Sequence, residues 1–226
     1  MKWYSFETAQ VQANSLAKQV EQDLIRLLQE KDLVTLCVPG GSTPALFLQL
    51  LSKTSLDWSR VRVVVNDERW VPLNDPLSNE AMLRKLLLNN ESVVTQIVSL
   101  FDHNLPIEQA IEAFNRRASD VLPLDICVLG MGEDGHTASL FPDMNNLEQA
   151  LDLSNPAALV LARVPHKTEL RVSFNLSALL SARQHYILIK GQAKRQTIEI
   201  AEQHKSFQFP ISHLLAESST HIYYTD

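Results

Sequence analysis

A short loop near the middle of the chain places an acid and a base close together. Asp134 and His136 lie two positions apart in a segment that contains three glycines. The segment follows residues 126–129, an unbroken apolar run typical of a strand buried on both faces. Because glycine lets the backbone turn tightly and approach a ligand, this pattern predicts a binding loop with acid–base chemistry.

The glycines of the chain mark further loops of this kind. Each cluster of glycines follows an apolar run and precedes a helix-like segment, and ligands of open α/β sheets lie beyond the carboxyl ends of the strands. We therefore expect three loops to share one cleft. The six glycines are Gly40, Gly41, Gly130, Gly132, Gly135 and Gly191.

Two of these loops have features that favour phosphate binding. The turn after the first apolar run reads Pro-Gly-Gly-Ser-Thr-Pro, with Ser42 or Thr43 as helix N-cap and Pro44 as first helical residue. Exposed amides at a helix start attract phosphate, but the Walker lysine is missing, so an ordinary capped turn is the alternative. Lys194 lies near the start of another predicted helix, where a cation is unfavourable unless an anion neutralises it.

Three charged residues follow the strand predicted at 61–65. Asp67, Glu68 and Arg69 come directly after this apolar run, whose end holds their backbone rigid near the expected cleft. A functional role is one interpretation of the three charges, and a plain charged surface loop is the other.

Hydrophobic periodicity predicts helices and strands in alternation, the pattern of an α/β domain. Predicted helices cover 5–29, 45–51, 78–88 and 107–121, a last one follows Gly191 and ends near 203, and residues 137–139 begin a helical turn. Predicted strands cover 33–38, 61–65, 126–129, 158–164, 170–174 and 186–189, with 221–224 as a closing edge strand. Residues 143–155 form a surface excursion or a short helix.

Composition limits the class of protein. The chain has 226 residues, 45% of them hydrophobic, and no apolar run approaches the length of a membrane span, which predicts one soluble domain. The first residues lack an apolar signal core, so we expect a cytoplasmic protein. A formal net charge of −6 disfavours non-specific nucleic-acid binding. Cys37 and Cys127 lie in apolar runs and are expected to be buried free thiols.

Four stretches, taken in chain order, carry a resemblance to a known family. They are residues 40–44, 67–72 with 78–79, 130–142 and 170–173. Together they resemble the 6-phosphogluconolactonase family. The resemblance implies a relative of glucosamine-6-phosphate deaminase, a single α/β domain over residues 1–226 with a modified doubly wound, mostly parallel sheet flanked by helices. It also implies hydrolysis of 6-phospho-D-glucono-1,5-lactone to 6-phospho-D-gluconate in the oxidative pentose phosphate pathway.

The resemblance assigns His136 as the base of this reaction. A lactone is opened by a water that loses a proton as it attacks, and histidine suits this step. Asp134 or Asp67 would fix the tautomer of His136 or hold the water, while Arg69 and loop amides would stabilise the oxyanion. The residues expected to bind substrate are Gly40, Gly41, Ser42, Thr43, Gly132, Arg171 and Lys194, with the phosphate on the loop 41–43 between Arg171 and Lys194.

The expected partner is a small phosphorylated sugar lactone, with no nucleic acid and no membrane. No second histidine, cysteine or carboxylate repeats a ligand spacing with His136, so neither a metal nor a cofactor is expected. The other six histidines lie outside the glycine loops and are given no catalytic role. We expect a monomer or a homodimer.

Three other functions compete with the lactonase. An aminosugar-phosphate deaminase has Tyr where Arg69 stands and Glu where Phe141 stands, and both departures favour the lactonase. Residues 130–135 match the GxGxxG pattern of dinucleotide-binding proteins, but two carboxylates in the loop would repel a pyrophosphate. A non-catalytic sugar-phosphate sensor would keep the phosphate contacts and would not need His136.

Overall fold

The structure, a computed structural model, describes residues 1–100, 102 and 104–226 of the chain. His103, one of the six histidines given no role, therefore lies outside the described residues. The strands are β1 (Lys2–Phe6), β2 (Val34–Val38), β3 (Val61–Val65), β4 (Asp67–Arg69), β5 (Gln96–Val98), β6 (Ile126–Leu129), β7 (Leu159–Ala162), β8 (Arg171–Phe174), β9 (Gln184–Lys190) and β10 (Thr220–Thr225). The α-helices are α1 (Ala9–Glu30), α2 (Ala45–Leu51), α3 (Asn79–Leu87), α4 (Ile107–Arg116), α5 (Leu147–Leu151), α6 (Leu176–Leu180), α7 (Gln192–Ala201) and α8 (Ile211–Glu217).

A parallel sheet forms the centre of the fold. Its strand order is β1-β10-β9-β6-β2-β3-β5, and every neighbouring pair runs parallel. The central strands β2 and β6 are buried at every position, which explains why their sequences are apolar except for Thr35 in β2. Helices pack against the sheet, and α1 buries Leu16, Val20 and Leu24 completely. The α/β fold with a mostly parallel sheet, predicted from the sequence, is confirmed.

A second, antiparallel sheet carries several of the predicted site residues, in the order β4-β8-β7. The backbone of Asn66 joins the two sheets, because its N–H donates to the Val38 carbonyl at 3.0 Å and its carbonyl accepts from Phe174 N at 3.0 Å. Strands β4 and β8 pair with each other, and in this register Arg69 lies opposite Arg171. The strands predicted at 158–164 and 170–174 therefore form an antiparallel hairpin.

The edges of the main sheet differ from the prediction. Residues 2–6, partly assigned to the first helix, form β1, which lies parallel to β10 at the edge of the sheet. The prediction that 221–224 closes the sheet is wrong, since β10 is flanked on both sides, and β5 at the opposite edge is missed. Strand β1 is largely exposed and β5 has three residues, so neither has the continuous apolar run of a central strand.

Three local predictions are also wrong. Residues 137–139 form a turn and not a helix, with Ala138 at a φ of 49° and Leu140 N donating to the Thr137 carbonyl at 3.0 Å. Residues 67–69, expected as a loop, form β4. Helix α4 ends at Arg116, and the remainder of the predicted helix contains a short 3-10 turn at Ala118–Asp120. Residues 143–155 contain the short helix α5, one of the two predicted options.

The two cysteines lie side by side in the central strands. Cys37 and Cys127 are partners in the parallel register of β2 and β6, and both are buried free thiols. Burial raises the pKa of Cys37 well above its ordinary value, so this thiol stays protonated. Among the residues that the structure describes, no helix combines the length and apolar character needed to cross a membrane.

Candidate active site

The segments that follow β2, β3 and β6 meet at one cleft of about 270 Å³, to which Leu188 of β9 and Lys194 of α7 also contribute. The glycine loops after β2 and β6 therefore share a cleft at the carboxyl end of the parallel sheet, as predicted, whereas Gly191 does not line it. Of the predicted site residues, Asp134 does not line the cleft itself but contacts His136, which does. The predicted residues that line it are Gly40, Gly41, Ser42, Thr43, Asp67, Arg69, Gly132, His136, Arg171 and Lys194.

Asp134 and His136 form a close pair. The Asp134 Oδ1 atom lies 2.6 Å from His136 Nδ1 and also accepts a hydrogen bond from the His136 backbone N–H at 3.2 Å. Partial burial raises the pKa of Asp134, but the hydrogen bond and charge of His136 outweigh it, so this pKa lies below its ordinary value. A carboxylate that accepts from Nδ1–H leaves Nε2 as the ring nitrogen that can take up a proton.

Two further contacts fix the His136 ring. The ring stacks on Phe141 with centroids 4.1 Å apart and an interplanar angle of 24°. The ring also lies so close to Gly132 that a Cβ atom on this residue would be 2.2 Å from His136 Nδ1 and 2.4 Å from Asp134 Oδ1. Gly132 is therefore required by the close approach of the pair to the backbone.

Side chains outside the loop hold its backbone in place. Thr137 Oγ1 donates to the Gly130 carbonyl at 2.9 Å, which closes the loop on the end of β6. Thr197, in α7, donates from its Oγ1 to the Glu133 carbonyl at 2.8 Å. The loop is thus anchored at both sides of the acid–base pair, and this rigidity keeps the pair in one geometry.

Two arginines face each other across the small sheet. Arg69 and Arg171 are cross-strand partners, and like charges in that position repel. Burial, together with the charge of Arg69, lowers the pKa of Arg171. The Nε atoms of both side chains are buried without a hydrogen-bond partner among the described residues. An anion in the cleft would relieve the repulsion, which makes this pair a candidate anion contact.

The glycine loop after β2 also lines the cleft. Gly41 has a φ of +100°, a conformation that favours glycine. The N-cap position of α2 is occupied by Pro44 and has no side-chain hydrogen bond, so the prediction that Ser42 or Thr43 caps this helix is wrong. Ser42 and Thr43 line the cleft, and their side chains do not cap the helix.

Lys194 lies at the start of α7, as the sequence predicts. It is the third residue of the helix, it lines the cleft, and the first turn of α7 contains no acidic residue. The positive end of the helix dipole and the lysine therefore act in the same direction on the cleft. Lys194, Arg69 and Arg171 give the site a local positive charge within an acidic chain.

Asp67 makes contacts that differ from those of Asp134. Its Oδ2 accepts a hydrogen bond from Ser139 Oγ, and its Oδ1 accepts from Asn79 Nδ2 at 3.3 Å. Asp134 is therefore the aspartate that contacts His136, whereas Asp67 is held in the cleft wall by the neutral side chains of Ser139 and Asn79.

Glu68, which lies between Asp67 and Arg69 in the sequence, anchors the backbone of β4. Its buried carboxylate accepts hydrogen bonds from the backbone N–H groups of Asn79 and Glu80, each at 2.7 Å, and from Ser78 Oγ at 3.0 Å. Burial raises the pKa of Glu68, and these hydrogen bonds lower it in part. Glu68 ties β4 to the start of α3, so its neighbours on either side are fixed.

Comparison with known proteins places the chain in a family. The sequence model of the family described as glucosamine-6-phosphate isomerases/6-phosphogluconolactonase matches residues 7–223. The chain belongs to this family. The resemblance noted from the four sequence stretches is therefore confirmed.

Members of the family with a similar sequence cover most of the chain. A 6-phosphogluconolactonase of Rhizobium meliloti is 37% identical over 198 residues, which is 87% of this chain and 85% of that protein. A 6-phosphogluconolactonase of Pseudomonas aeruginosa is 36% identical over 195 residues, which is 86% and 82% of the two chains. The crystal structure of a 6-phosphogluconolactonase from Shewanella baltica OS155 is 32% identical, covers 100% and 97% of the two chains, and has a TM-score of 0.93.

Sequence reasoning missed some residues of the site. Asn66 and Asn79 line the cleft, and Phe141 supports the candidate base. Asn79 and Phe141 stand within the stretches that resemble the family, but asparagine and phenylalanine carry no charge that would single them out. Among the described residues, no group of three or more His, Cys, Asp and Glu side chains is placed to hold a metal ion.

Proposed function

We propose that the protein hydrolyses 6-phospho-D-glucono-1,5-lactone to 6-phospho-D-gluconate, a step of the oxidative pentose phosphate pathway. The observation that carries the proposal is the Asp134–His136 contact in a cleft that also contains Arg69, Arg171 and Lys194. A base beside several cations suits a substrate that has a neutral lactone carbonyl at one end and a phosphate group at the other. The relatives named 6-phosphogluconolactonase, at 36% and 37% identity, support the same reaction class.

His136 acts as general base in this proposal. Asp134 holds the Nδ1–H proton, so Nε2 accepts a proton from water as the water oxygen attacks the lactone carbonyl carbon. The carbonyl becomes a tetrahedral oxyanion, which Arg69 and loop amides stabilise. When the intermediate collapses, the bond from the carbonyl carbon to the ring oxygen breaks. The ring oxygen takes the proton from His136, which leaves a hydroxyl and a carboxylic acid. The carboxylic acid loses its proton to solvent and becomes a carboxylate, and this is the proton that the assay detects.

The phosphate group binds at the other side of the cleft in this proposal. The loop 40–43 supplies backbone N–H groups and two hydroxyls, and Arg171 and Lys194 supply positive charge. Gly132 lines the same cleft and contributes backbone to it, since its missing side chain leaves room for the Asp134–His136 pair. We propose that Asp67 shapes the wall of the cleft and helps to hold the attacking water.

The test measures two reactions side by side. Proton release on addition of freshly made 6-phosphoglucono-δ-lactone is corrected for spontaneous hydrolysis, and ammonia release from glucosamine 6-phosphate is measured in parallel. Acceleration of proton release alone supports the proposal. Ammonia release alone would assign the chain to the isomerase side of the family. If neither reaction is accelerated and 6-phosphogluconate still binds, a sugar-phosphate sensor is the better account.

A further inference from the structure

The side-chain amide of Asn79 lies between Asp67 and Arg69. Asn79 is the first residue of α3 and is only 2% exposed. Its Nδ2 donates to the Asp67 carbonyl at 2.9 Å and to Asp67 Oδ1 at 3.3 Å. Its Oδ1 accepts a hydrogen bond from Arg69 Nη1. One amide therefore contacts both charged residues that β4 contributes to the cleft.

The two ends of the amide cannot be exchanged. Asp67 presents only acceptor atoms to Asn79, and the Arg69 guanidinium presents only donors. A flipped amide would place its oxygen against a carboxylate and its NH₂ group against a cation. The neighbours thus select a single orientation, in which the amide holds the carboxylate and the guanidinium at a fixed separation.

Asn79 is itself held from two sides. Its backbone N–H donates to Glu68 Oε1 at 2.7 Å, so its backbone follows β4. The amide also packs against the loop 40–43, to which we assign phosphate binding. A Cβ atom on Gly40 in this loop would lie 1.9 Å from Asn79 Oδ1. The residue therefore connects the loop after β2 to the strand that carries Asp67 and Arg69.

The amide is not needed to begin α3. The helix is capped by Ser78, whose Oγ accepts from Ala81 N at 3.0 Å, and by Glu68, which accepts from two backbone N–H groups of the first turn. A residue that only served the helix start would not require an amide that points to Asp67 and Arg69.

We propose that Asn79 is a positioning residue of the active site, which sets the Arg69 guanidinium and the Asp67 carboxylate in their working geometry. The inference rests on the proposed lactone hydrolysis. Because Arg69 acts on the oxyanion, displacing its guanidinium reduces the stabilisation of the transition state more than it reduces the affinity for substrate. Loss of the amide therefore lowers kcat, while KM, which depends on the phosphate contacts of Arg171 and Lys194, changes far less.

The test uses N79D and N79A in the proton-release assay. N79D keeps the size of the side chain and an acceptor for Arg69, but it replaces the donor with a carboxylate directly beside Asp67. N79A removes both contacts and adds no charge. Since a displacement of about 1 Å can lower the rate by about 100-fold, we expect a loss of kcat of about 10- to 100-fold in each variant, with a small change in KM.

Asn175 provides the matched control. It is also a fully buried asparagine at a helix start, with Oδ1 accepting from Ala178 N at 2.8 Å and Nδ2 donating to the Ala157 carbonyl, but it does not line the cleft. N175D should keep kcat and KM, whatever its effect on the melting temperature.

The outcomes separate the inference from the function on which it rests. An active wild-type protein whose N79D and N79A variants retain kcat would overturn the positioning role and leave the lactonase proposal intact. Equal losses of kcat in N79D and N175D would also overturn it, because they would trace to folding. An inactive wild-type protein would reject the proposed function and the inference with it.

Discussion

Replacing Gly132 with alanine should disable the acid–base pair while leaving the fold intact. The added Cβ would lie 2.2 Å from His136 Nδ1 and 2.4 Å from Asp134 Oδ1, whereas unstrained atoms of this kind stay more than 3 Å apart. One of the two side chains must therefore move by about 1 Å or more. A displacement of this size costs about 100-fold in rate, and complete loss of a general base costs about 100- to 10,000-fold.

The assay is proton release from the lactone, with the melting temperature as a measure of folding. We expect G132A to lose about 100- to 10,000-fold in kcat, with a melting temperature close to that of the wild type. Gly130 is the matched control in the same loop, because a Cβ there would meet only Pro39 Cβ at an ordinary 3.9 Å. G130A should stay active. Wild-type kcat in G132A would refute the reasoning, since it would mean that the Asp134–His136 geometry does not limit the reaction.

Three further predictions concern single side chains. K194A should weaken the binding of 6-phosphogluconate by about 10- to 100-fold, the usual value of a charge-assisted contact, and should leave binding of gluconate unchanged; equal losses in a titration of both would contradict the phosphate role. Because the pKa of Asp134 is lowered in the fold, its stabilisation is present above the ordinary pKa of an aspartate and is lost as the pH falls through the lowered value. The difference in melting temperature between wild type and D134N should therefore shrink as the pH falls below about 4, the ordinary pKa of an aspartate, and a constant difference would argue against the Asp134–His136 contact. E68Q should lower the free energy of unfolding in urea by about 2 kcal/mol, because it weakens three hydrogen bonds to a buried carboxylate, and an unchanged value would contradict the anchoring role.

The central part of the fold could be predicted from the sequence because burial leaves a clear pattern there. Strands β2, β3 and β6 are buried almost throughout, so they appear as largely apolar runs that end at the cleft, interrupted only by Thr35 in β2 and Arg62 in β3. Glycines mark the loops at which backbone or side chains approach closely, as at Gly132. The general location of the site follows from these two signals.

The edges of the sheets could not be predicted in the same way. Strand β1 is held by pairing with the last strand of the chain, a contact between residues more than two hundred positions apart that leaves no local pattern. Strand β4 has three charged residues, and its strand conformation comes from pairing with β8. Such pairing depends on tertiary contacts, which override local propensity.

Within the site, the sequence indicates the charged residues and the glycine loops, but not the neutral side chains that support them. His136, Arg69 and Lys194 draw attention because their types suggest catalysis or anion binding. Asn79 and Phe141 act on these residues by hydrogen bonding and stacking, and their positions follow only from the three-dimensional contacts. The sequence likewise does not show which of Asp134 and Asp67 contacts His136, whereas in the structure Asp134 Oδ1 lies 2.6 Å from His136 Nδ1.

The most direct test of the central claim compares wild type and H136A in two measurements on the same preparations. The account predicts that the wild-type protein accelerates proton release from 6-phosphoglucono-δ-lactone. It also predicts that H136A loses most of this turnover and still binds 6-phosphogluconate with nearly wild-type affinity, because the phosphate contacts remain. Full turnover in H136A would contradict the assignment of His136 as general base.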